Sequence, residues 1–475
     1  MDRDGCEKKR VLQVVSSELP ADLETPVSAF LKLREIGASF LLESAESVDR
    51  LGRFSFIGFP SKRTLVAEEN SVIYRDEEKE RVARSDPLDV LKSVFGSTEV
   101  IGEEDRPSIL GGAVGYVSYD YIRHLENIPE KSKGERKISL CEFDFVETLV
   151  VFDHLMRKMT VFSLVPEKEK KEPVLHKEIV DALEKPLVHS RLGRNRRRVE
   201  FFSNASAAEY AEMVKKAKHY IREGDCFQIV LSRRLRANFD GDCFDLYRRL
   251  RMSNPSPYMF YFENRRRRVI GSSPEVLVRL NGRRAFTSPI AGTRRRGASR
   301  KQNGELAEEL LSSEKENAEH FMLIDLARND LGRVCKYGSV RVESLRRIER
   351  YSHVMHIVSD VEGELRDECD QFDLFRAVFP AGTVTGAPKV RAMEIIEELE
   401  KEPRGLYAGA VGYFSPSGAL DTCIAIRMIV VEDGTAYLQA GAGIVADSEP
   451  EREYQETEEK LMALKVAIEA SSGGM

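Results

Sequence analysis

Short apolar runs broken by turn residues dominate the first third of the chain. They predict strands at 40–44, 53–59, 64–68, 72–75, 111–120 and 145–153, separated by Gly, Pro and Asn. Apolar anchors become sparse between 166 and 205, where only one short helix near 179–183 is predicted. The pattern therefore indicates a β-rich region over 1–165 and a linker over 166–205.

A longer-range pattern follows over 206–470, where helical and strand periods are mixed. Helices are predicted at 207–222, 244–252, 372–379, 389–399 and 451–470, and a further one ends near 329. Strands are predicted at 226–236, 409–415, 422–431 and 436–439, with a two-stranded unit over 259–280. This region indicates an α/β (α+β) domain. The pentapeptide GAVGY occurs at 112–116 and 409–413, which hints at a similar strand turn in both parts.

Composition narrows the class of protein. The 475 residues carry 73 Lys and Arg against 79 Asp and Glu, a formal charge of −6, which argues against a basic nucleic-acid binder and a disordered acidic tail. Seven scattered cysteines without metal or disulfide spacing indicate a reduced, cytoplasmic chain. The charged start MDRDG and the lack of long apolar runs predict neither secretion nor a membrane span. The basic runs at 194–198, 265–268 and 294–296 are interpreted as solvated turns.

Two predicted helices carry Glu-x-x-Glu. Glu316 and Glu319 share one helix face, and Glu453 and Glu456 share another with Lys460. Carboxylates at the edge of a core repel each other unless a cation joins them, and an all-oxygen set favours Mg²⁺. Two solvated acidic faces are the alternative, and a di-iron site is disfavoured because Glu-x-x-His is absent from these helices.

Further candidates favour an anion site or a plain structural role. Arg427 lies in the apolar segment DTCIAIRMIVVE, where a guanidinium needs an anionic partner. The glycines of AGAGIV (440–445) allow close backbone approach to a carboxylate, or form only a turn. Gly386 and Pro388 precede a helix that presents its N-terminus to an anion or simply starts there. His353 and His356 fall on opposite strand faces, and one is a candidate proton-transfer group.

The ordered motifs together resemble one family. They are QIVLSRR (228–234), SPEVL (273–277), SPIAGTRRRG (288–297), ENAEHFMLIDLARNDLGRV (316–334), HVMH (353–356), FPAGTVTGAPK (379–389), RGLYAGAVGY (404–413), IAIRM (424–428), AGAGIVADS (440–448) and EYQETEEK (453–460). The chain resembles the chorismate-utilising enzymes over 206–465, and most closely the large subunits of anthranilate synthases. LLES (41–44) and NPSPYM (254–259) extend the likeness to the feedback-regulated members.

The resemblance implies a fold of layered antiparallel sheets flanked by helices, with Mg²⁺ and chorismate in a deep cleft. It implies that Glu319 and Glu456 bind the metal, with Glu316 and Glu453 adjacent, through water or directly. It also implies a substrate pocket in which Gly292 and Thr293 line the chorismate ring, with Lys460 nearby. The remaining residues of that implied pocket are Tyr407, Arg427, Gly441, Ala442 and Gly443.

Two positions distinguish reactions within the family. Members that add water carry Lys where this chain has Gln228, and aminodeoxychorismate synthases carry a Lys where it has Ala291. Both departures imply a lyase that adds ammonia at C2 of chorismate and forms anthranilate and pyruvate. Glu275 is then the expected general acid and His356 the base. Aminodeoxychorismate synthase and a non-catalytic ligand-binding regulator remain the alternatives.

The resemblance also implies partners. No glutaminase segment is recognisable, so ammonia is expected from a separate glutamine amidotransferase subunit in a hetero-oligomer. Tryptophan is expected as a feedback inhibitor in or near the N-terminal region. Its candidate contacts are Glu43, Ser44, Pro257, Tyr258 and Met259.

Overall fold

Twenty-three strands and eleven α-helices make up the computed structural model, which describes residues 10–45, 52–77, 79–102, 107–129, 134, 138–168, 173–187, 192, 197–264, 266–350 and 354–472. The helices are α1 (Pro26–Leu33), α2 (Pro87–Gly96), α3 (Ile122–Leu125), α4 (Val174–Glu184), α5 (Ala207–Arg222), α6 (Cys243–Ser253), α7 (Arg300–Ser312), α8 (Glu314–Gly332), α9 (Gln371–Val378), α10 (Lys389–Leu399) and α11 (Pro450–Ser471).

The strands before the helix α5 are β1 (Arg10–Pro20), β2 (Phe40–Glu43), β3 (Phe54–Glu68), β4 (Ser71–Asp76), β5 (Lys79–Ala83), β6 (Thr98–Ile101), β7 (Ala113–Val117), β8 (Cys141–Asp153), β9 (Lys158–Pro166) and β10 (Phe202–Ser203). The later strands are β11 (Gln228–Asn238), β12 (Tyr258–Glu263), β13 (Arg267–Ser273), β14 (Val276–Asn281), β15 (Arg284–Thr287), β16 (Ile290–Arg295), β17 (Arg341–Arg350), β18 (Val354–Glu364), β19 (Gly386–Ala387), β20 (Ala410–Phe414), β21 (Leu420–Ile424), β22 (Met428–Glu432) and β23 (Thr435–Ile444).

Strand pairing forms two mainly antiparallel sheets. The first sheet runs β2–β12–β13–β22–β23–β11. The second runs β7–β20–β21–β14–β15–β18, with β16 and β17 also on β18. Both sheets continue into β3 and β8, which pair with each other. The first sheet reaches them through β2, which pairs with β3, and the second through β7, which pairs with β8. Strands from before and after 166–205 therefore share both sheets.

The two sheets enclose a common core. Phe260 and Val269 of the first sheet pack in one cluster with Val278 and Leu420 of the second. On the outside of the first sheet, α1, α4, α6 and α11 bury their apolar faces in a second cluster. Each sheet is thus covered by apolar side chains, which is the layered arrangement that the resemblance implied. The mixed α/β (α+β) class predicted from the sequence is confirmed.

The chain passes between the sheets at two adjacent crossovers. Residues 274–275 lead from β13 to β14, and residues 425–427 lead from β21 back to β22. The amide of Ile424 donates to the carbonyl of Glu275 at 3.0 Å, and the amide of Ser272 donates to that of Arg427 at 3.1 Å. Arg427 takes a positive φ of 52° where the chain turns, a conformation uncommon for a residue with a Cβ. Glu275 and Arg427 are therefore brought together by the topology.

The repeated GAVGY segments are partners in one ladder. They form β7 and β20, which pair antiparallel with Gly115 opposite Gly412. A Cβ at Gly115 would lie 1.9 Å from the carbonyl oxygen of Glu142, and one at Gly412 would lie 2.1 Å from that of Asp421. The repeat therefore reflects two glycines over which neighbouring backbone passes closely, and not only a similar strand turn.

Several element predictions need correction. The predicted strand 422–431 is two strands, because the chain leaves the second sheet at Arg427. The unit over 259–280 has three strands, and 53–59 with 64–68 is one strand, β3, with irregular pairing near Pro60. The linker contains α4, which begins before the predicted short helix. Helices α1 and α2 and strands β1 and β9 were not predicted.

The basic runs are only partly solvated turns. Arg267 is 4% exposed and forms ion pairs with Glu432 at 2.9 Å and Glu142 at 3.5 Å, so its interpretation as a solvated turn residue was wrong. Residues 194–196 and 265 lie outside the described residues. Within the described chain, the cysteines are free thiols and no helix is long and apolar enough to cross a membrane.

Candidate active site

Gln228, at the start of β11, reaches the helix that carries two of the predicted metal ligands. Its side chain is 4% exposed, and its Nε2 donates to Oε1 of Glu319 on α8 at 3.2 Å. Its Oε1 is buried without a partner among the described residues. A Cβ at Gly443, on the neighbouring β23, would lie 2.4 Å from Nε2. Glycine at 443 therefore leaves the space that the amide occupies.

Glu275 is buried at the first crossover. Only 7% of the residue is exposed, and this burial raises the pKa of its carboxyl from 4.5 to about 8, while the nearby Thr383 hydroxyl and Ile290 amide lower it by less. The side chain is consequently protonated at neutral pH. A carboxyl in that state can donate a proton, which the role of general acid requires.

His356 lies in β18 beside the glycine of the SPIAGTRRRG motif. Its Nδ1 is 3.1 Å from the carbonyl oxygen of Gly292, and β16 and β18 set Thr293 opposite His356. A carbonyl only accepts, so Nδ1 carries the proton and Nε2 is the basic nitrogen. Burial lowers the pKa of the imidazole below 6.5. Only the backbone of Thr293 is described, and His353 lies outside the described residues.

Arg427, Tyr407 and the glycines of β23 bring hydrogen-bond donors close together. Burial lowers the pKa of Arg427, while Tyr407 and the carboxyls of Glu456 and Glu275 act on it in the opposite direction. Burial raises the pKa of Tyr407 to about 12, and a Cβ at Gly441 would lie 2.8 Å from its hydroxyl. Lys460 donates to the carbonyl of Gly441 at 2.8 Å. This set of donors suits an anionic ligand group.

The four glutamates of the predicted metal site are engaged by protein groups. Glu456 pairs with Lys460 at 2.6 Å, and Glu316 pairs with Arg294 at 3.0 Å. The negative charge of Glu453 contributes to the raised pKa of Tyr210. No three His, Cys, Asp or Glu side chains in the described part of the chain are grouped closely enough to hold a metal ion. The oxygen-only donor set suits Mg²⁺, but an ion would compete with Arg294 and Lys460.

A cleft of about 400 Å³ opens beside Glu275. It is lined by Leu323 and Leu326 of α8 and by Thr383, whose hydroxyl lies near the carboxyl of Glu275. Asp330, at its far side, pairs with Lys389 at 2.7 Å. The loop before α10 supplies Thr383 to the cleft. Its Gly386 pairs with Ile229 of β11, and Pro388 stands directly before α10.

A second cavity lies between β2, β12 and β20. Its lining contains all five predicted inhibitor contacts, namely Glu43, Ser44, Pro257, Tyr258 and Met259. Glu43 is already paired with Arg251 at 2.8 Å. Asp421, which also lines the cavity, accepts from the Tyr258 hydroxyl at 2.9 Å and lies opposite Arg279 in the ladder of β14 and β21. Burial raises the pKa of Asp421.

Comparison with known proteins places this arrangement in a family. Residues 38–466 match the family described as chorismate binding enzyme. The chain belongs to the chorismate binding enzymes. It is 46% identical over 468 residues to anthranilate synthase component 1 of Acetivibrio thermocellus, covering 96% of this chain and 95% of that protein. It is 46% identical to the protein of the same name from Aquifex aeolicus, covering 95% and 94%.

Solved structures agree with the fold of this chorismate binding enzyme. The crystal structure of anthranilate synthase component I from Streptococcus pneumoniae is 37% identical, with a TM-score of 0.78, and covers 88% of this chain and 93% of that one. The isochorismate synthase MenF of Escherichia coli has a TM-score of 0.73 at 19% identity, over 97% and 95% of the chains, and supports the fold alone.

Sequence reasoning about this chorismate binding enzyme missed three features of the site. Thr383 was within a quoted motif but was not singled out, since a hydroxyl gives no pattern of its own. Arg294 was assigned to a solvated turn, although it pairs with Glu316. Asp421 lies in a strand whose alternation of buried and exposed positions the sequence obscures, because two sheets meet there.

Proposed function

We propose that this enzyme is the large subunit of an anthranilate synthase, converting chorismate and ammonia to anthranilate, pyruvate and water. The observation that carries the proposal is the contact between Gln228 and Glu319, at the position where water-adding members of the family carry Lys. An amide cannot take a proton from water. Ammonia is nucleophilic without a base, so an amide at this place favours amination.

Chorismate binding is assigned to the pocket of Arg427 and Tyr407. A bidentate guanidinium suits a carboxylate, and the buried hydroxyl of Tyr407 adds a second donor. The glycines at 441 and 443 with Ala442 leave room for a ring carboxylate, and Gly292 with Thr293 lines the ring from β16. Arg427 is buried and the carboxyls of Glu456 and Glu275 are its acidic neighbours, so a substrate carboxylate would add a direct partner for the guanidinium.

Glu275 and His356 each carry out one of the two proton transfers. Ammonia bonds to C2 of chorismate as the C4–O bond breaks, and Glu275 gives its proton to the departing hydroxyl, which leaves as water. His356 then takes the C2 proton through Nε2, the enolpyruvyl C–O bond breaks, and the ring becomes aromatic as pyruvate leaves. The protonated Glu275 and the neutral His356 are in the states that these steps need.

Mg²⁺ is the cofactor that this proposal includes. Glu319 and Glu456 would hold the ion, with Glu316 and Glu453 next to them, and the ion would neutralise the ring carboxylate that acidic side chains otherwise repel. Lys460 and Arg294 pair with two of these glutamates. We therefore expect weak metal binding to the enzyme alone and tighter binding with chorismate, whose carboxylates compete for Lys460 and Arg294.

Ammonia is proposed to come from a glutamine amidotransferase subunit. The relatives are named component 1, which implies a second component. Burial raises the pKa of five described thiols well away from the thiolate form that a glutaminase nucleophile needs, at Cys141, Cys226, Cys243, Cys335 and Cys423. We expect a cytoplasmic hetero-oligomer.

Tryptophan is the proposed occupant of the cavity that holds Ser44 and Tyr258. An indole fits among Pro257, Met259 and the aromatic residues of this lining. Glu43 is paired with Arg251, so we add Asp421, which accepts from the Tyr258 hydroxyl and lies opposite Arg279, as a second acceptor for the amino group of the ligand.

The proposal is tested with the purified chain, chorismate, MgCl₂ and ammonium at mildly alkaline pH. Products are separated by chromatography and anthranilate is followed by its fluorescence. Equal amounts of anthranilate and pyruvate support the proposal. Aminodeoxychorismate without pyruvate would support the first alternative, and chorismate left intact would support a ligand-binding regulator. Glutamine should replace ammonium only after the amidotransferase subunit is added.

A further inference from the structure

One edge of β11 is completed by side chains instead of a continuous strand. The two residues of β19 pair with Gln228 and Ile229, and β10 pairs only from Leu235 onward. Between these short partners, the carbonyl of Val230 and the amide of Ser232 face no strand. A buried carbonyl and amide left without partners would each cost about 1–3 kcal/mol.

Arg404 and Glu400 fill this gap as a buried ion pair. Arg404 Nη2 donates to the carbonyl of Val230 at 2.7 Å, and the amide of Ser232 donates to Glu400 Oε1 at 2.7 Å. The two side chains are joined at 2.9 Å and 2.7 Å, and they are 3% and 7% exposed. Nη1 of the guanidinium also donates to the carbonyl of Val384 at 2.7 Å, next to Thr383 of the cleft.

The same guanidinium packs against the candidate substrate pocket. It lies 5.7 Å from the ring centre of Tyr407 and 4.8 Å from that of Tyr119. Tyr407 is followed by Ala408, which has a positive φ of 65° and whose amide donates to Ala425 at 3.0 Å, on the crossover that carries Arg427. A strained turn of this kind keeps its conformation only if its surroundings hold it.

We propose that the Arg404–Glu400 pair is a positioning element for chorismate, which holds the edge of β11, the Thr383 loop and the Tyr407 ring in one arrangement. This inference rests on the proposed function, in which Tyr407 binds the substrate. The polar groups of both side chains bond to each other, to the edge of β11 and to the Thr383 loop, and not to the candidate pocket. Both residues therefore act through Tyr407 and β11. An ordinary buried ion pair would contribute to stability and leave chorismate affinity unchanged.

The test measures the Kd for chorismate by calorimetry, with MgCl₂ and without a nitrogen donor, together with Tm. The variants are Arg404→Lys, which keeps the charge but loses the planar fork, and a double variant, Arg404→Met with Glu400→Met, which leaves no unpaired charge. Arg267→Lys is the matched control, because Arg267 is equally buried and ion-paired but lies in β13 away from the pocket.

We expect each folded Arg404 variant to weaken chorismate binding about ten-fold or more, since small displacements of binding groups have large effects. Arg267→Lys should lower Tm and leave Kd unchanged. A Kd within about two-fold of the wild type in Arg404→Lys or in the double variant would overturn the inference. Glu400→Asp, which keeps both charges, supplies the measurement if those variants do not fold. The binding measurement needs no turnover, so it remains valid even if the enzyme does not carry out the proposed amination.

Discussion

The side-chain amide of Gln228 donates to the carboxylate of Glu319, with 3.2 Å between Nε2 and Oε1. In the proposed function, this contact joins the residue that would distinguish amination from hydration to a candidate metal ligand. It also sets Gln228 against Gly443, since any larger residue there would displace the amide. The proposal therefore implies that the choice of nucleophile and the binding of the ring carboxylate are coupled through one side chain.

Replacing Gln228 with Lys should shift the reaction toward water. A Lys at this position can accept a proton from water when it is deprotonated, whereas the amide cannot. We expect anthranilate formation to fall about ten-fold, and a hydroxylated chorismate isomer to appear when ammonium is omitted. Chromatography of the products measures both. Gln228→Met, which removes the hydrogen bond and adds no base, should lower amination without giving the hydroxylated product.

The activity should fall at alkaline pH because Glu275 loses the proton that it donates. Its acid form, which donates the proton, is lost as pH rises through about 8. We expect kcat/KM for chorismate, measured at constant free ammonia, to fall about ten-fold for each pH unit above this value. Glu275→Gln should abolish most activity and remove this limb. A flat alkaline profile in the wild type would contradict the assignment.

The same carboxyl should lower stability at alkaline pH. Its pKa is higher in the folded chain than the ordinary 4.5, so the unfolded chain releases the proton first and gains relative stability between pH 4.5 and about 8. Above that range the cost is about 5 kcal/mol. Glu275→Gln should therefore raise Tm at pH 8 and change it little at pH 4. Equal Tm values at pH 8 would argue against the raised pKa.

His356→Met should separate the two stages. Without a base for the C2 proton, we expect the aminated, non-aromatic intermediate to accumulate while chorismate is still consumed. Rapid chromatography of the reaction mixture detects it. The lowered pKa of His356 also predicts that wild-type activity is kept until pH drops below the ordinary histidine range near 6.5. Unchanged anthranilate output from the variant would remove His356 from the mechanism.

Tryptophan inhibition should depend on the second cavity and not on the active site. Ser44→Phe fills the cavity, and Asp421→Asn removes the counterion, so both should raise the inhibitory concentration of tryptophan about ten-fold or more with kcat close to the wild type. Inhibition that persists in both variants would locate the inhibitor elsewhere.

Periodicity was sufficient for long elements with clear ends. The predicted helix 207–222 coincides with α5, because Ser206 and Glu209 form a capping box at its start. The helix 389–399 likewise coincides with α10. Residues 422–431 were predicted as one strand because their apolar run is unbroken. In the structure the chain turns at Arg427 and enters the other sheet.

Some site residues can be recognised from their residue type in the sequence, and others only from their contacts in the folded chain. Paired glutamates, an arginine in an apolar segment and glycines beside a strand can be found from residue type. Asp421, Arg294 and Thr383 could not, because their roles depend on contacts between segments far apart in sequence. Arg404 and Glu400 were missed for the same reason, since an i, i+4 pair normally indicates a solvated helix surface, and here it completes a strand edge.

Glu319 and Glu456, on separate helices, are proposed to hold one divalent ion whose binding depends on chorismate. Electron paramagnetic resonance titration with Mn²⁺, without a nitrogen donor, measures this ion in the wild type and in Glu319→Gln and Glu456→Gln. We expect one tightly bound ion per wild-type chain with chorismate, weak binding without it, and loss of that ion in both variants. A tightly bound ion that remains in either variant would show that these two glutamates do not form the metal site.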